Sequence, residues 1–441
     1  MKKLLITAAA LGLTVGFVAT ASATNGYFSH GYSIKNKGMA GAGVAAPLDA
    51  MVPATNPAGL TEVGNRLDLG LSIFNPNREY TVEPLPGAPG TGMFPLMTGT
   101  VESDSNYFFI PNLAYSRQIN ENSAWGIAVY GNGGMNTDYD TPTFNVNPAL
   151  PSFQEKPTGV DLMQLFIAPT YAHKFAEKHS FGITPIIGVQ FFEAKGLQAF
   201  GEAGFSSAPS KLTNNGHDSA YGFGARIGYL GKLTDQFNVG LSWQSKIYMG
   251  EFDDYAGLFA EQGDMDIPSN WTIGLAYMPN PTVTLALDVQ QIYYSDIKSI
   301  NNPLLPNLNT AISGAQLGDN NGAGFGWEDM TIIKLGLQWA RTEQWTYRFG
   351  YSYGEQPIPS SMTLGNFDNE VMFNIIAPGV IEQHATFGFT YTFANLSELD
   401  FSLMYAFEND VKGLNPLDPT AQTIELTMSQ WELGIGYSWK F

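Results

Sequence analysis

The chain alternates apolar with polar or small residues over many short segments. Its last eleven residues, WELGIGYSWKF, carry an aromatic or aliphatic side chain at every second position from 431 to 441. Successive side chains of a β-strand point to opposite faces, so this segment is predicted to form a strand with one apolar face and one small or polar face. The same alternation recurs at 221–229 and 345–353. These patterns predict an all-β protein whose apolar faces must be hidden from water.

Fourteen segments are predicted as strands from this alternation. They lie near 66–75, 107–118, 123–131, 160–175, 180–200, 218–231, 236–249, 268–278, 282–294, 329–340, 344–354, 382–393, 398–409 and 424–441. Pro111, Pro169 and Pro185 fall inside three of them. We expect a bend or bulge there, because proline cannot donate a hydrogen bond to the ladder.

The connections between the predicted strands alternate in length. Six short turns separate seven long polar segments, which lie near 76–106, 132–159, 201–217, 250–267, 295–328, 355–381 and 410–423. Short turns at one end and long loops at the other are typical of an outer-membrane barrel, with the turns in the periplasm. The sequence therefore predicts a 14-stranded antiparallel transmembrane β-barrel at 66–441, with its aromatic faces toward lipid. A secreted β-sandwich is the alternative, but its core favours aliphatic residues and gives no reason for sorted loop lengths.

The start of the chain and its charge agree with export. Lys2 and Lys3 precede an apolar run that ends in Ala21-Ser22-Ala23, so residues 1–23 are predicted to be a cleaved secretory signal rather than a membrane anchor. The chain has 21 Lys and Arg residues and 40 Asp and Glu residues, and the resulting net charge of −19 argues against nucleic-acid binding. The absence of cysteine excludes disulfides and thiol chemistry.

Five segments carry a family resemblance. They are NGYFSHGYSIKNKGMAGAGVA at the predicted mature start, ATNPAGL at 54–60, WGIAVYGNGGMNTDY at 125–139, DMDIPSNWTIGLAYMPNPTVTLALDVQQIYYSDI at 264–297, and the terminal Phe441. Through them the chain resembles the FadL/TodX family of outer-membrane channels for long-chain fatty acids and aromatic hydrocarbons. The terminal Phe is general to outer-membrane barrels, where it signals to the barrel-insertion machinery.

The resemblance implies a division of the mature chain. Residues 24–65, too glycine-rich for barrel wall, would be an N-terminal hatch that plugs the 14-stranded barrel. The family's Asn-Pro-Ala motif falls on Asn56, Pro57 and Ala58, beside a kink in the third strand that opens a window in the wall. Glycine tolerates unusual dihedral angles, so this kink is expected among Gly131, Gly133 and Gly134.

Other kinds of chemistry find little support. The five histidines lack metal-ligand spacing, and no nucleophile is paired with a base. We therefore expect no enzyme activity, no cofactor and no metal.

The expected function is passive uptake of a hydrophobic small molecule across the outer membrane of a Gram-negative bacterium. The protein would act as a monomer in lipid and lipopolysaccharide, and release its cargo sideways through the wall; a water-filled porin is the alternative. Apolar residues in two loops would either capture cargo or cover the barrel mouth: Tyr255, Leu258 and Phe259 in one, and Leu304, Leu305, Leu308 and Ile312 in the other.

The nature of the cargo depends on the charges in the lumen. Alternation directs four cations inward, Arg226, Lys246, Lys334 and Arg348, and four acids, Asp68, Asp288, Asp400 and Glu408. A buried carboxylate needs a cationic partner, so Arg226 and Lys334 are candidates for binding a fatty acid. Tyr27 and Phe28 would suit either kind of cargo as a pocket wall. The alternative is that these charges pair with one another, as lumen charges usually do. The likeness of the motifs to the aromatic-hydrocarbon members slightly favours neutral cargo.

Overall fold

The fold was obtained as a computed structural model, which describes residues 24–87, 94–308 and 314–441. The predicted signal at 1–23 lies outside the described residues, as does Ile312. In the part of the chain that is described, no helix is long and apolar enough to cross a membrane.

Fourteen antiparallel strands form one closed ring, as the alternation predicted. They are β1 (Arg66–Pro84), β2 (Phe108–Asn120), β3 (Ser123–Tyr139), β4 (Thr158–Ala176), β5 (His179–Lys195), β6 (Asp218–Lys232), β7 (Phe237–Gln244), β8 (Asn270–Asn280), β9 (Val283–Ile292), β10 (Met330–Ala340), β11 (Trp345–Gly354), β12 (Gln383–Thr392), β13 (Glu398–Leu414) and β14 (Gln422–Lys440). Each strand pairs with its sequence neighbour, and β1 pairs with β14 from Arg66↔Lys440 to Pro84↔Gln422. The pairing of β1 with β14 joins the two ends of the sheet, so neither the first nor the last strand is an edge strand.

Short elements lie within the connections and the N-terminal segment. The two short strands are Gly99–Glu102 and Tyr248–Met249, and the α-helical turns are Ile34–Lys37, Gln198–Glu202, Ala260–Gly263 and Lys298–Asn301. The 3-10 turns are Val52–Ala54, Pro57–Thr61, Pro209–Lys211, Asp253–Tyr255, Tyr294–Asp296 and Phe373–Ile375.

Several strands extend well beyond the predicted ends. β1 continues to Pro84, although Pro76 reads as the start of a loop. The β1–β2 ladder ends at Phe74↔Phe108, so Pro76 lies where β1 pairs with β14 but no longer with β2. Proline is tolerated at such an edge because a missing N–H removes no ladder bond there.

The alternation of faces is interrupted in β13. Glu408 was expected in the lumen but is exposed, because the register against β14 shifts between Ala406 and Asn409. A bulge of this kind adds a residue to one strand, which reverses the faces beyond it. Lys246 also departs from the expectation. It follows the end of β7, is partly exposed, and pairs with Asp266 at 2.8 Å.

Residues 24–65 lie against inward-facing side chains on opposite sides of the ring. Lys35 pairs with Glu398 of β13, and Lys37 pairs with Glu432 of β14, with all four groups buried. Across the lumen, the Asp288 carboxylate of β9 accepts hydrogen bonds from the Gly43 and Val44 amides. Removing one member of a buried ion pair leaves the other charge uncompensated, so these contacts fix the segment in place.

Candidate functional site: an interrupted ladder between β2 and β3

The hydrogen-bond ladder between β2 and β3 ends before either strand does. Its last pair is Asn112↔Tyr130. β2 nevertheless includes four more residues back to Phe108, which pair only with β1, and β3 continues to Tyr139. The barrel wall therefore contains a gap between these strands. The register of β3 against β4 also shifts there, between Gly131 and Gly133.

The start of the N-terminal segment occupies this gap. Phe28 forms an antiparallel bridge with Gly133. The Ser29 amide donates to the Asn132 carbonyl at 3.0 Å, and the Gly134 amide donates to the Tyr27 carbonyl at 2.9 Å. These bonds provide partners for the Asn132 carbonyl and the Gly134 amide of β3, which β2 does not reach.

The glycines of β3 differ in how closely the segment approaches them. A Cβ at Gly133 would lie 1.7 Å from the Tyr27 carbonyl oxygen, so only glycine fits there. A Cβ at Gly131 would meet nothing closer than Ile110 at 3.6 Å, which is ordinary contact. Gly133 is therefore the position that lets the two backbones meet.

The Asn-Pro-Ala motif is located elsewhere in the lumen. The Asn56 amide donates to the carbonyls of Val44 and Tyr229 at 2.8 and 2.9 Å, and its Oδ1 accepts from the Ala58 amide at 3.1 Å. Pro57 starts a 3-10 turn at this corner. The motif packs on Gly182 of β5 and Gly228 of β6. It does not pack on Gly133 and Gly134 of β3, which contact Tyr27 and Phe28.

An aromatic cluster lies above the gap on its inner side. Tyr27 and Phe28 are fully buried and stack at a ring-centroid distance of 5.4 Å. Tyr294 and Trp327, from the loop between β9 and β10, complete it, with Tyr27 5.3 and 5.9 Å from their rings. The two predicted pocket-wall residues therefore join side chains from the long loop between β9 and β10.

A small cavity adjoins the gap. Its volume is about 20 Å³, enough for about one water molecule. Apolar groups form most of its wall, and its lining residues include Gly26, Phe74, Arg78, Met135, Trp327 and Met428. A larger ligand could enter only if part of this wall moved.

Arg226 and Lys334, the predicted carboxylate partners, line a second cavity of about 20 Å³ together with His30. Arg226 donates to the Pro53 carbonyl at 3.0 Å, and Lys334 donates to the His30 carbonyl at 3.3 Å. The structure thus places both cations in one polar cavity beneath the segment. This cavity is separate from the aromatic cluster that holds Tyr27 and Phe28.

The apolar loop residues singled out from the sequence are mostly buried. Tyr255, Leu258 and Phe259 pack beneath the loops, where Phe192 contacts Tyr255 and Phe259. Leu304 and Leu308 are fully buried and Leu305 is half-buried. These residues cover the barrel mouth, which was the alternative to an exposed capture surface.

A different loop exposes apolar side chains. Met362, Leu364 and Phe367, between β11 and β12, are 51, 63 and 54% exposed. The sequence analysis missed them because they are scattered through the polar run SSMTLGNFDNE. The only sequence signal for this exposed apolar surface was the short spacing of the three residues along the loop.

The same loop also carries a buried carboxyl group. Glu370 accepts a hydrogen bond from the Leu304 amide at 2.8 Å, which joins this loop to the one between β9 and β10. Burial raises the pKa of Glu370 to about 8, with the nearby Asp368 charge acting in the same direction. The link between the loops therefore contains a carboxyl group that is protonated at neutral pH.

The closed 14-stranded ring, with an aromatic-rich outer face and an interrupted wall, defines an outer-membrane channel barrel. A family model described as outer membrane protein transport protein (OMPP1/FadL/TodX) matches residues 15–441, and the chain belongs to this family.

Relatives and solved structures agree with this assignment. The long-chain fatty acid transport protein of Escherichia coli O6:H1 is 22% identical, with both chains fully covered. The crystal structure of the Pseudomonas putida toluene transporter TodX matches with a TM-score of 0.68 at 18% identity, covering 93% of this chain and 99% of that one. A Pseudomonas aeruginosa FadL homologue matches with a TM-score of 0.66 at 15% identity, covering 94 and 100%. At these identities the structural matches establish the fold.

Proposed function

We propose that this protein is a passive outer-membrane channel for hydrophobic compounds, either long-chain fatty acids or aromatic hydrocarbons. The observation that carries this proposal is the gap between β2 and β3, which the Tyr27–Ser29 backbone fills and a mostly apolar cavity adjoins. Family membership and the named substrates of its relatives support the same reading. The cargo leaves the protein sideways through this gap into the bilayer.

In this proposal residues 24–65 are the hatch of the barrel at 66–441. The buried ion pairs of Lys35 and Lys37 with carboxylates of the neighbouring strands β13 and β14 support a plug that stays in place during transport. Only the first residues, held to β3 by backbone bonds, need to move. Residues 1–23 direct the chain to the outer membrane of a Gram-negative bacterium and are removed, and the mature protein works as a monomer without enzymatic activity.

Uptake begins at the extracellular loops. The exposed Met362, Leu364 and Phe367 supply an apolar surface on which a hydrophobic molecule can settle from water. From there it reaches the aromatic cluster of Tyr27, Tyr294 and Trp327, and then the cavity beside the gap.

Uptake in reconstituted vesicles tests this function. Purified protein in liposomes should accelerate the entry of radiolabelled oleate or toluene, and replacing Met362, Leu364 and Phe367 together by serine should slow that entry at low substrate concentration. Entry of neither compound above that into protein-free liposomes would contradict the proposed function.

A further inference from the structure

Arg78 spans the gap between β2 and β3 from the other side. It lies in β1 beyond the last β1–β2 pair, Phe74↔Phe108, and it is buried. Its two Nη atoms donate to the carbonyls of Asn136 in β3 and Ser105 before β2. The guanidinium also lies over the Phe108 ring, with Cζ 5.7 Å from the ring centroid. It is therefore held rigidly at the rim of the cavity.

This guanidinium lacks an anionic partner. Among the described residues no carboxylate forms an ion pair with Arg78, and its Nε is buried without a hydrogen-bond partner. Arg66 pairs with Asp68 and Glu398, and Lys37 pairs with Glu432, whereas the buried Arg226, Lys334 and Arg348 donate only to neutral oxygens. Among the Lys and Arg side chains of the described residues, Arg78 alone has a buried nitrogen without a hydrogen-bond partner. A buried, uncompensated positive charge is costly, so its presence beside a cavity points to an anion that arrives from outside.

The cavity wall defines the rest of such a ligand. Phe74, Met135, Trp327 and Met428 offer apolar surface, and Arg78 contributes the only charged group among the residues that line the cavity in the described chain. A guanidinium whose Nε–H has no partner suits a carboxylate. We propose that Arg78 binds the head group of a hydrophobic monocarboxylate whose tail lies along these apolar side chains. This inference rests on the proposed uptake function and assigns the cargo to the acidic rather than the neutral class.

The test compares ligands that differ only in the head group. Binding of oleate and of oleyl alcohol is measured on the purified full chain for the wild type and for Arg78→Gln, which preserves approximate length without the charge. The wild type should bind oleate about tenfold or more tightly than the alcohol. A hydrogen bond to a charged group contributes enough free energy for a ratio of this size. In Arg78→Gln this ratio should fall toward one, and Arg78→Lys should restore part of it.

Two further variants locate the effect. Arg348→Gln removes another buried lumen arginine, which bonds Gln338 and Thr390, and should leave the ratio unchanged. Ala377→Leu narrows the cavity without touching the charge, and should weaken both ligands by a similar factor. It tests the position of the site even if Arg78→Gln does not fold.

The outcomes separate the two proposals. An unchanged ratio in Arg78→Gln, or oleate binding unaffected by Ala377→Leu, would show that Arg78 is a structural arginine and that the head group binds elsewhere. If the ratio falls in Arg226→Gln or Lys334→Gln but not in Arg78→Gln, the head group binds in the polar cavity. That result would also overturn the assignment to Arg78. Failure of the wild type to bind either ligand would instead count against the uptake function itself.

Discussion

Phe28 forms a β-bridge with Gly133 at a point where Gly133 has β4 on one side and no β2 residue on the other. The N-terminal segment thus takes the place of a missing strand partner in the barrel wall. A backbone contact of this kind can be released without unfolding the ladder on either side, because β1–β2 and β3–β4 keep their own pairs. We infer that displacement of Tyr27–Ser29 is the step that opens the wall.

Substitution of Gly133 by alanine should release the segment from β3. The added Cβ would lie 1.7 Å from the Tyr27 carbonyl oxygen, so the two backbones must separate. Overpacking of this kind costs about 1–3 kcal/mol. Hydrogen exchange of the Ser29 and Gly134 amides should become faster. Gly131→Ala is the matched control, since its Cβ has room, and equal protection in both variants would contradict the account.

Replacement of Asn56 by alanine should destabilise the hatch corner. The change removes the partner of the Val44 and Tyr229 carbonyls and of the Ala58 amide, and a buried unsatisfied group costs about 1–3 kcal/mol. The temperature at which the folded band disappears on heated gels should fall. Thr55→Ala, which loses only a 3.4 Å bond to Val52, should leave this temperature nearly unchanged. If this temperature falls by the same amount in both variants, Asn56 does not stabilise the corner more than Thr55 does.

Deletion of residues 26–58 should raise single-channel conductance in planar bilayers. The deletion removes the segment that bonds to β1, β9, β13 and β14 across the lumen, so ions would gain a wider path. Gels that still show heat-modifiable migration would establish that the barrel has formed. Conductance equal to that of the full chain would favour a lumen that is already open, as in a porin.

Rising pH should loosen the link between the two extracellular loops at Glu370. Its pKa is about 8 in the folded protein against about 4.5 when exposed, so the folded state binds more protons between these values. The stabilising contribution is complete below pH 4.5 and is lost as pH rises through 8. Proteolysis of the β11–β12 loop should accelerate over that range, and Glu370→Gln should remove the dependence. An identical pH profile in the variant would rule out this carboxyl group as the cause.

The sequence predicted the ring well because alternation is a local signal. The closing segment WELGIGYSWKF shows its two faces without any knowledge of its neighbours, and the same holds for most strands. The extension of β1 from its predicted end near 75 to Pro84 depends on its pairing with β14, which a single segment does not display. Glu408 was placed wrongly for a related reason, since the bulge at Ala406 and Asn409 arises only against β14.

The candidate site depends on contacts between distant parts of the chain. The glycines of β3 indicated a bend, but their partner, Phe28, is more than a hundred residues away. Arg226 and Lys334 face the lumen as alternation predicted. Arg78 was overlooked because it follows Pro76 in what read as a polar loop, and its lack of a carboxylate partner becomes visible only in three dimensions.

The most direct test of lateral release uses the absence of cysteine from the chain. A single cysteine in place of Gly131 has room beside the gap. Oleate uptake by the Gly131→Cys protein in liposomes is measured before and after the cysteine is labelled with a bulky maleimide. Glu121→Cys, on the exposed turn between β2 and β3, is the labelled control. We expect normal oleate uptake before labelling, its loss in labelled Gly131→Cys, and no change in the control. Undiminished uptake by fully labelled Gly131→Cys would contradict exit through the wall at this point.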